Sequence, residues 1–349
     1  MEIYLPTMKK RLLICIQAVD LDDPLMGFFV TWLEEAAQSF EAITVLALRI
    51  GRYTLPQNVT IVPLRSESRP ASRLTPVWRL IKESWLRRGA YDAVFVRGDP
   101  HYVLLAGWLW RLLGKKILFW YAHWKVSQAA VWGYRMAHIT IASVKAAFDH
   151  PRITPLFIGQ NVDDRRFSAP TTPHTGPVRF LAFGSVRPVK RIELAIGGFL
   201  RGGAEQAKAT LTIVGPRTDR LYEVQMLEKA SGHPLIKWQD GVSYDQVPTV
   251  MASFDVMINA CVGSLDKVIL EAMMSGLVVI ASTPGMIEWL PNELHWLYAA
   301  TLDEITLAVK RVLAMSAQDR WALGQELRCL AIEHHSLRNQ VAKIVSLLA

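Results

Sequence analysis

The chemically pointed residues of this chain are a glycine with three cations close behind it, Gly184, Arg187, Lys190 and Arg191, and, further along, Ser264 and Glu271. Gly184 ends an apolar run over 178–183. Having no side chain, it lets a ligand approach the backbone, and the cations after it put positive charge where a diphosphate would lie. By itself such a turn is equally well a solvated basic loop. Ser264 suits the cap of a helix over 265–275, whose first amides and positive dipole end favour an anion. Glu271, two turns down that helix, is flanked by Ile269, Leu270, Ala272 and Met273. A carboxylate so placed needs a partner. Spacing favours Lys267, four residues earlier, in a pair worth about 0.2–0.5 kcal/mol on an exposed helix. The alternative partner is the ribose of a nucleotide whose phosphates meet the helix start. Taken together, these are the parts of a nucleotide-diphosphate site.

The elements that must hold these residues alternate. An apolar run at 256–260, a Gly-Ser turn, the helix with Gly276 as its stop, and a second β-branched run at 277–281 spell strand, helix, strand. That is the unit of a parallel sheet, with the helix starting at the carboxyl end of the first strand. Strands at 178–183, at 210–214 and near Leu235 alternate with helices beginning near Arg191 and Leu221. The first half follows the same plan, with strands at 11–17, 43–48, 59–63, 93–97, 116–121, 139–143 and 156–159 and a helix from about Gly27. This alternation predicts an α/β fold of doubly wound parallel sheets. Between the halves, 168–177 is rich in Pro and Thr and reads as a linker. The expected layout is a Rossmann-like domain over 1–168, a linker over 169–177, a second Rossmann-like domain over 178–333, and a closing helix over 334–349 able to pack on either domain. A cleft between two such domains is a preferred place for a small molecule.

A chain of 349 residues exceeds what one core usually supports, and 51% hydrophobic residues exclude a largely disordered chain. The net charge of +8 favours an anionic partner: nucleic acid, an acidic membrane surface or a phosphorylated substrate. Nucleic acid would need aromatics on a basic sheet face or a helix-turn-helix, and neither is read here. The most apolar stretch, 103–110, is stopped by Arg111, Lys115 and Lys116, so no transmembrane helix is expected, and the start reads as a short extension before a strand. Cys15, Cys261 and Cys329 are scattered in apolar or helical settings and read as buried thiols of a reducing, cytoplasmic compartment. Trp78, Trp85, Trp108, Trp110, Trp120, Trp124 and Trp132 crowd the first half among Arg79, Lys82, Arg87, Arg88, Arg111, Lys115 and Lys116. Most of these tryptophans are expected in the core, leaving a minority for an anionic membrane surface on the inner face.

The second half resembles the donor-binding domain of retaining family 4 glycosyltransferases. These have the GT-B fold of two facing Rossmann-like domains with a cleft between them, and the resemblance extends over nearly the whole chain. Gly184 and Lys190 match the family's first basic motif, whose arginine position holds Ser185; Arg187 offers a cation two residues on. Glu271, followed by Ala272, Met273, Ser275 and Gly276, matches the second Glu of a paired-glutamate motif. Gly263 stands at the first, with Asp266 and Lys267 close by. The resemblance implies donor contacts at Gly184, Arg187, Lys190, Asp240, Gly241, Val242, Ser264, Leu265, Asp266, Lys267 and Glu271, with 240–242 beside the base. Gly285 and Glu288 match a glycine-containing loop, and Asn161, Asp163 and Phe167 match a signature before the interdomain linker.

On the acceptor side the resemblance implies a loop with Asp22, Asp23 and Gly27, and His123 at a strand's carboxyl end, with His101 as a second candidate. A histidine between tryptophans is otherwise a packed residue. His123, Lys190 and Glu271 form the implied catalytic set. His334 and His335 lack a nearby carboxylate cluster, and there is no Asp-x-Asp pair flanked by strand, so neither metal nor cofactor is expected. The implied activity moves a sugar from a nucleotide diphosphate donor to a glycan or lipid-linked acceptor, with retention. The departing charge is met by Lys190, Arg187 and helix amides. The departures at Ser185 and Gly263 leave as one alternative a non-catalytic sugar-nucleotide or glycan-binding protein, and the same two-domain plan leaves a second, a sugar-nucleotide epimerase.

Overall fold

The computed structural model describes residues 9–23, 26–65, 74–121, 126–148, 150, 152–230 and 232–348. The chain forms two compact units: Met1–Ser143 with Phe148–Asn161 and Leu337–Ala349, and Val144–Ala147 with Val162–Ser336.

The first unit contains β1 (Arg11–Val19), α1 (Phe28–Ala37), β2 (Ala42–Ile50), β3 (Val59–Pro63), α2 (Thr75–Leu86), β4 (Ala93–Arg97), α3 (His101–Leu112), β5 (Lys116–Trp120), α4 (Gln128–Met136), β6 (Ile139–Ala142) and β7 (Leu156–Phe157). All strand pairs are parallel, in the order β3-β2-β1-β4-β5-β6-β7. Because side chains alternate along a strand, β1 feeds two cores. Leu12, Ile14 and Ile16 join Phe29, Trp32 and Leu33 of α1, while Leu13 and Cys15 join Leu80, Val103, Trp110 and Tyr134 of α2, α3 and α4. Strands covered on both faces read as near-continuous apolar runs, which is why these were visible.

The second unit contains β8 (Arg179–Phe183), α5 (Ile192–Arg201), β9 (Thr210–Val214), α6 (Arg220–Ala230), β10 (Ile236–Gln239), α7 (Val247–Met251), β11 (Val256–Asn259), α8 (Lys267–Met274), β12 (Val278–Ala281), α9 (Leu302–Ala314) and α10 (Ala317–His335). Its parallel sheet runs β10-β9-β8-β11-β12 around one core. The strand order reverses direction between β1 and β4 in the first unit and between β8 and β11 in the second. At such switch points the loops at the strands' carboxyl ends diverge and leave a crevice.

The closing helix, α11 (Leu337–Leu348), belongs to the first unit, where Leu337, Val341, Ile344 and Leu348 are buried. Gln340 fixes it by accepting from Trp32 Nε1 at 3.3 Å and donating to Gly159 O at 3.2 Å. The Pro-rich stretch read as a linker lies within the second unit and is pinned to α10: Trp321 Nε1 and Gln325 Nε2 donate to Pro170 O at 2.9 and 3.3 Å. No helix among the described residues is long and apolar enough to cross a membrane.

Candidate functional site

β8 ends at Phe183, and Gly184 then takes φ +132°, a value that residues with side chains rarely adopt. The Lys190 side chain crosses its open face, with Cε 3.2 Å from where a Cβ would stand. From the other side, a Cβ on Gly215 would lie 1.9 Å from Gly184 O, and one on Gly241 2.8 Å from Pro216 N. The loops after β8, β9 and β10 are therefore stacked backbone on backbone. Gly184 N donates to Val214 O at 2.9 Å, Val186 N to Pro216 O at 2.9 Å and Gly215 N to Gln239 O at 3.2 Å.

Across the switch point the loop after β11 is joined to this stack. Val262 N donates to Val189 O at 3.2 Å, and Lys190 is ion-paired with Asp266. A small cavity lies at this junction, lined by Gly184, Lys190, Asn259 and Ala260 among others. Burial pushes the Cys261 thiol above its ordinary pKa, with the Lys190 charge pulling the other way. Two expectations are corrected here. Ser264 is not the cap of α8: the helix starts at Lys267, behind an extended Asp266 whose side chain makes no capping bond. The reason is tertiary, since Gly285 N holds the Ser264 carbonyl at 3.2 Å and Lys190 holds the Asp266 carboxylate. Arg191 turns away from the loop; in the left-handed conformation at φ 47°, its guanidinium donates to Ala300 O.

The Arg187 residue is exposed, and its side chain makes no ion pair or hydrogen bond among the described residues. Leu265 and Val242 pack on the unit's core, and Asp240 is exposed, 3.4 Å from Arg217. Gly263 takes φ +155° with open space around it, so the first-glutamate position has a backbone that a glutamate would resist.

Glu271 is 7% exposed on α8. Burial raises its carboxyl pKa to about 7, opposed by the charges of Lys267 and Arg166 and reinforced by that of Asp266. The Lys267 partnership is thus electrostatic and half-buried rather than the exposed helix pair that spacing suggested. The Tyr244 hydroxyl stands 3.5 Å from Glu271 Oε1, and Arg166 stacks on the Tyr244 ring at 4.1 Å while donating to Tyr244 O and to Asp245. Burial first, and then the Glu271 charge, raises the Tyr244 pKa.

In the first unit, Asp22 pairs with Arg52 at 2.6 Å, which lowers the carboxyl's pKa. Asp23 pairs with Arg49 at 2.9 Å and accepts from Met26 N at 3.0 Å. The space beside Gly27 is filled by its own loop: a Cβ would lie 2.8 Å from Leu21 O. His101, at the start of α3, is exposed with Nδ1 2.7 Å from Asp99 Oδ1. His123 and Trp124 lie outside the described residues, as do Pro24 and Leu25.

Other expectations also change. Cys329 is exposed on α10, although Cys15 and Cys261 are buried. Trp110 and Trp120 are core, but Trp78, Trp85, Trp108 and Trp132 are exposed on α2, α3 and α4, so the surface share is larger than expected. Glu288 accepts from Lys145 N and Ala146 N at 2.6 and 2.7 Å, a brace for a turn within the second unit. His335 is buried against Trp289, ring centroids 4.6 Å apart, and among the described residues no group of acidic, Cys and His side chains could hold a metal. Sequence reasoning missed Gly215, Arg166 and Tyr244. A Gly-Pro pair directly after a strand signals the first, whereas nothing local joins Arg166 and Tyr244 to Glu271.

Residues 177–315 match the family model "Glycosyl transferases group 1". No curated protein matches the chain in sequence. Among solved structures, the chain is similar to HepE from Anabaena in complex with UDP and glucose, at 13% identity and TM-score 0.68, covering 97% of this chain and 99% of that one. The fold is GT-B. The same fold likeness extends to WaaG, a glycosyltransferase involved in lipopolysaccharide biosynthesis, at 14% identity and TM-score 0.63 over 97% and 99% of the two chains. It extends as well to a protein from Listeria monocytogenes assigned provisionally as a UDP-N-acetylglucosamine 2-epimerase, at 14% identity and TM-score 0.61 over 97% and 95%. A GT-B scaffold therefore does not by itself choose between transfer and epimerisation, and the choice rests on the site.

Proposed function

We propose that this chain is a glycosyltransferase that moves a sugar from a nucleotide diphosphate donor to a glycan or lipid-linked acceptor. The observation that carries the reading is the junction at the second unit's switch point. There the glycine turn after β8 and the start of α8 are tied together by Val189–Val262 and Lys190–Asp266, with Glu271 buried five residues on. The diphosphate would lie along Gly184, with unpartnered Arg187 taking one phosphate and Lys190 exchanging Asp266 for the other. Glu271, ionised, would accept from the ribose hydroxyls. Positive charge held in place before bond cleavage stabilises the leaving diphosphate at the moment it forms, so these two cations and the amides after β11 supply the main catalytic effect without a divalent ion. Retention at the anomeric carbon and a sugar-binding role for His123 are carried by the family resemblance.

Titration with UDP and with UDP-glucose, followed by thermal shift, tests the donor site. A ligand at about 100 times its Kd raises stability by about 2.7 kcal/mol. Lys190→Ala and Glu271→Ala should each remove most of that shift, and unchanged shifts in both would place the donor elsewhere. A second reading, a sugar-nucleotide-binding protein without activity, is favoured by the open, glycine-only backbone at Gly263. Release of UDP from UDP-sugar in the presence of acceptor glycans excludes it, and product analysis with donor alone separates transfer from epimerisation.

A further inference from the structure

We propose that Arg97 anchors an anionic group, a carboxylate or a phosphate, carried by the acceptor sugar. This deepens the transferase reading by naming the acceptor's chemistry. Arg97 is the last residue of β4, beside β1, at the carboxyl edge where the first unit's strand order reverses. Its guanidinium stands 4.7 Å from the Phe28 ring, 5.5 Å from Phe29 and 4.6 Å from Trp120. Nε is sealed from solvent without an acceptor among the described residues, while the residue as a whole is only partly buried.

Of the first unit's arginines, Arg11, Arg49, Arg52 and Arg87 each hold a carboxylate, from Asp92, Asp23, Asp22 and Glu83, and Arg65, Arg88, Arg111 and Arg135, which show none among the described residues, are exposed to water. Arg97 has none among the described residues. Asp99, two residues on, is engaged by the amide and ring of His101. Burial lowers the Arg97 pKa to about 9, which leaves the group charged at neutral pH. Withdrawing a guanidinium from water without a counter-ion is costly, and aromatic faces return only part of that cost. A methionine or leucine would fill the same aromatic box without it. What an arginine alone adds is a rigid fork of donors suited to a planar carboxylate or a phosphate. The fork stands next to the loop through Asp22, Asp23 and Gly27 that sequence resemblance assigns to the acceptor, since Phe28 and Phe29 directly follow Gly27.

The test titrates the full chain with glucuronic acid, glucose 6-phosphate and glucose, and separately with UDP. At least one anionic sugar should bind about tenfold or more tightly than glucose, and Arg97→Met should bring it down to the glucose level while UDP binding is unchanged. Glucuronic acid alone would identify an acidic sugar, and glucose 6-phosphate alone a phosphorylated one. Equal binding of all three sugars, or an anionic preference that survives Arg97→Met, overturns the proposal. Loss of UDP binding in the unaltered protein would defeat the donor reading and leave this one standing. A measurement independent of that variant's folding uses protein labelled with 15N-arginine. The Arg97 Nε–H resonance, identified by its absence in Arg97→Lys, should move on adding the anionic sugar and not glucose; a resonance that stays still in both refutes the anchor.

Discussion

A single carboxyl decides how the candidate donor site responds to pH. Glu271 keeps its proton in the folded chain up to about pH 7, whereas its ordinary value is 4.5. Between those two values the folded state binds one proton more than the unfolded state, so stability is greatest below about pH 4.5 and is lost as pH rises through about 7. Glu271→Gln should flatten that slope and raise stability above pH 7 by about 1–3 kcal/mol, read by urea denaturation at several pH values. Binding should run the other way. If the ionised carboxylate accepts from ribose, UDP affinity in the parent protein increases from about pH 6 to about pH 8, and the glutamine variant shows no such increase beyond the ligand's own titration. A parent protein with pH-independent stability across that range would mean that Glu271 is ionised throughout.

At the scale of elements, the site is a set of loop starts fastened together by close backbone contact. Gly215→Ala would force a methyl against the Gly184 carbonyl, a clash with backbone that cannot rotate away. The expected result is a loss of about 1–3 kcal/mol in stability and of most UDP affinity, measured by denaturation and calorimetry; an alanine variant with normal UDP binding would detach β9's loop from the site. Much of this level was legible beforehand. The strands at 93–97 and 210–214 fall where apolar runs placed them, because strands covered on both faces advertise themselves by composition, and the edge strand at 59–63 was legible from its β-branched run alone. The start of α8 was not legible, because a cap depends on which partner claims each polar group, and here Gly285 and Lys190 claim those of Ser264 and Asp266. The Arg166–Tyr244–Glu271 cluster was invisible for a similar reason: its members meet only through the fold. On α2, composition showed Trp78 and Trp85 among cations but could not say that these two face outward while Leu80 and Ser84 face in.

At the scale of the whole molecule, the outward tryptophans bear on where the chain works. Trp78, Trp85 and Trp132 are 61%, 47% and 55% exposed, and each lies under a cation, Lys82, Arg88 and Arg135, at 4.8, 4.6 and 5.2 Å. Helices α2, α3 and α4 pack side by side, so these groups share one side of the first unit. Exposed indoles with cations over them suit the boundary of an anionic bilayer, where the ring enters the headgroup layer and the charge meets phosphate. Co-sedimentation with phosphatidylglycerol vesicles should detect binding, and replacing all three by glutamine should weaken it about tenfold without altering UDP affinity. Equal sedimentation of parent and variant would make this side an ordinary protein surface.

The placement of α11 also governs the order in which the molecule can be completed. Its buried leucines, valine and isoleucine belong to a core whose other members come from the first 161 positions, so the whole second unit is synthesised in between. A nascent chain leaving the ribosome must therefore carry an apolar gap beside Trp32 and α1 until α11 emerges, and for that interval the gap is an open binding surface for a chaperone.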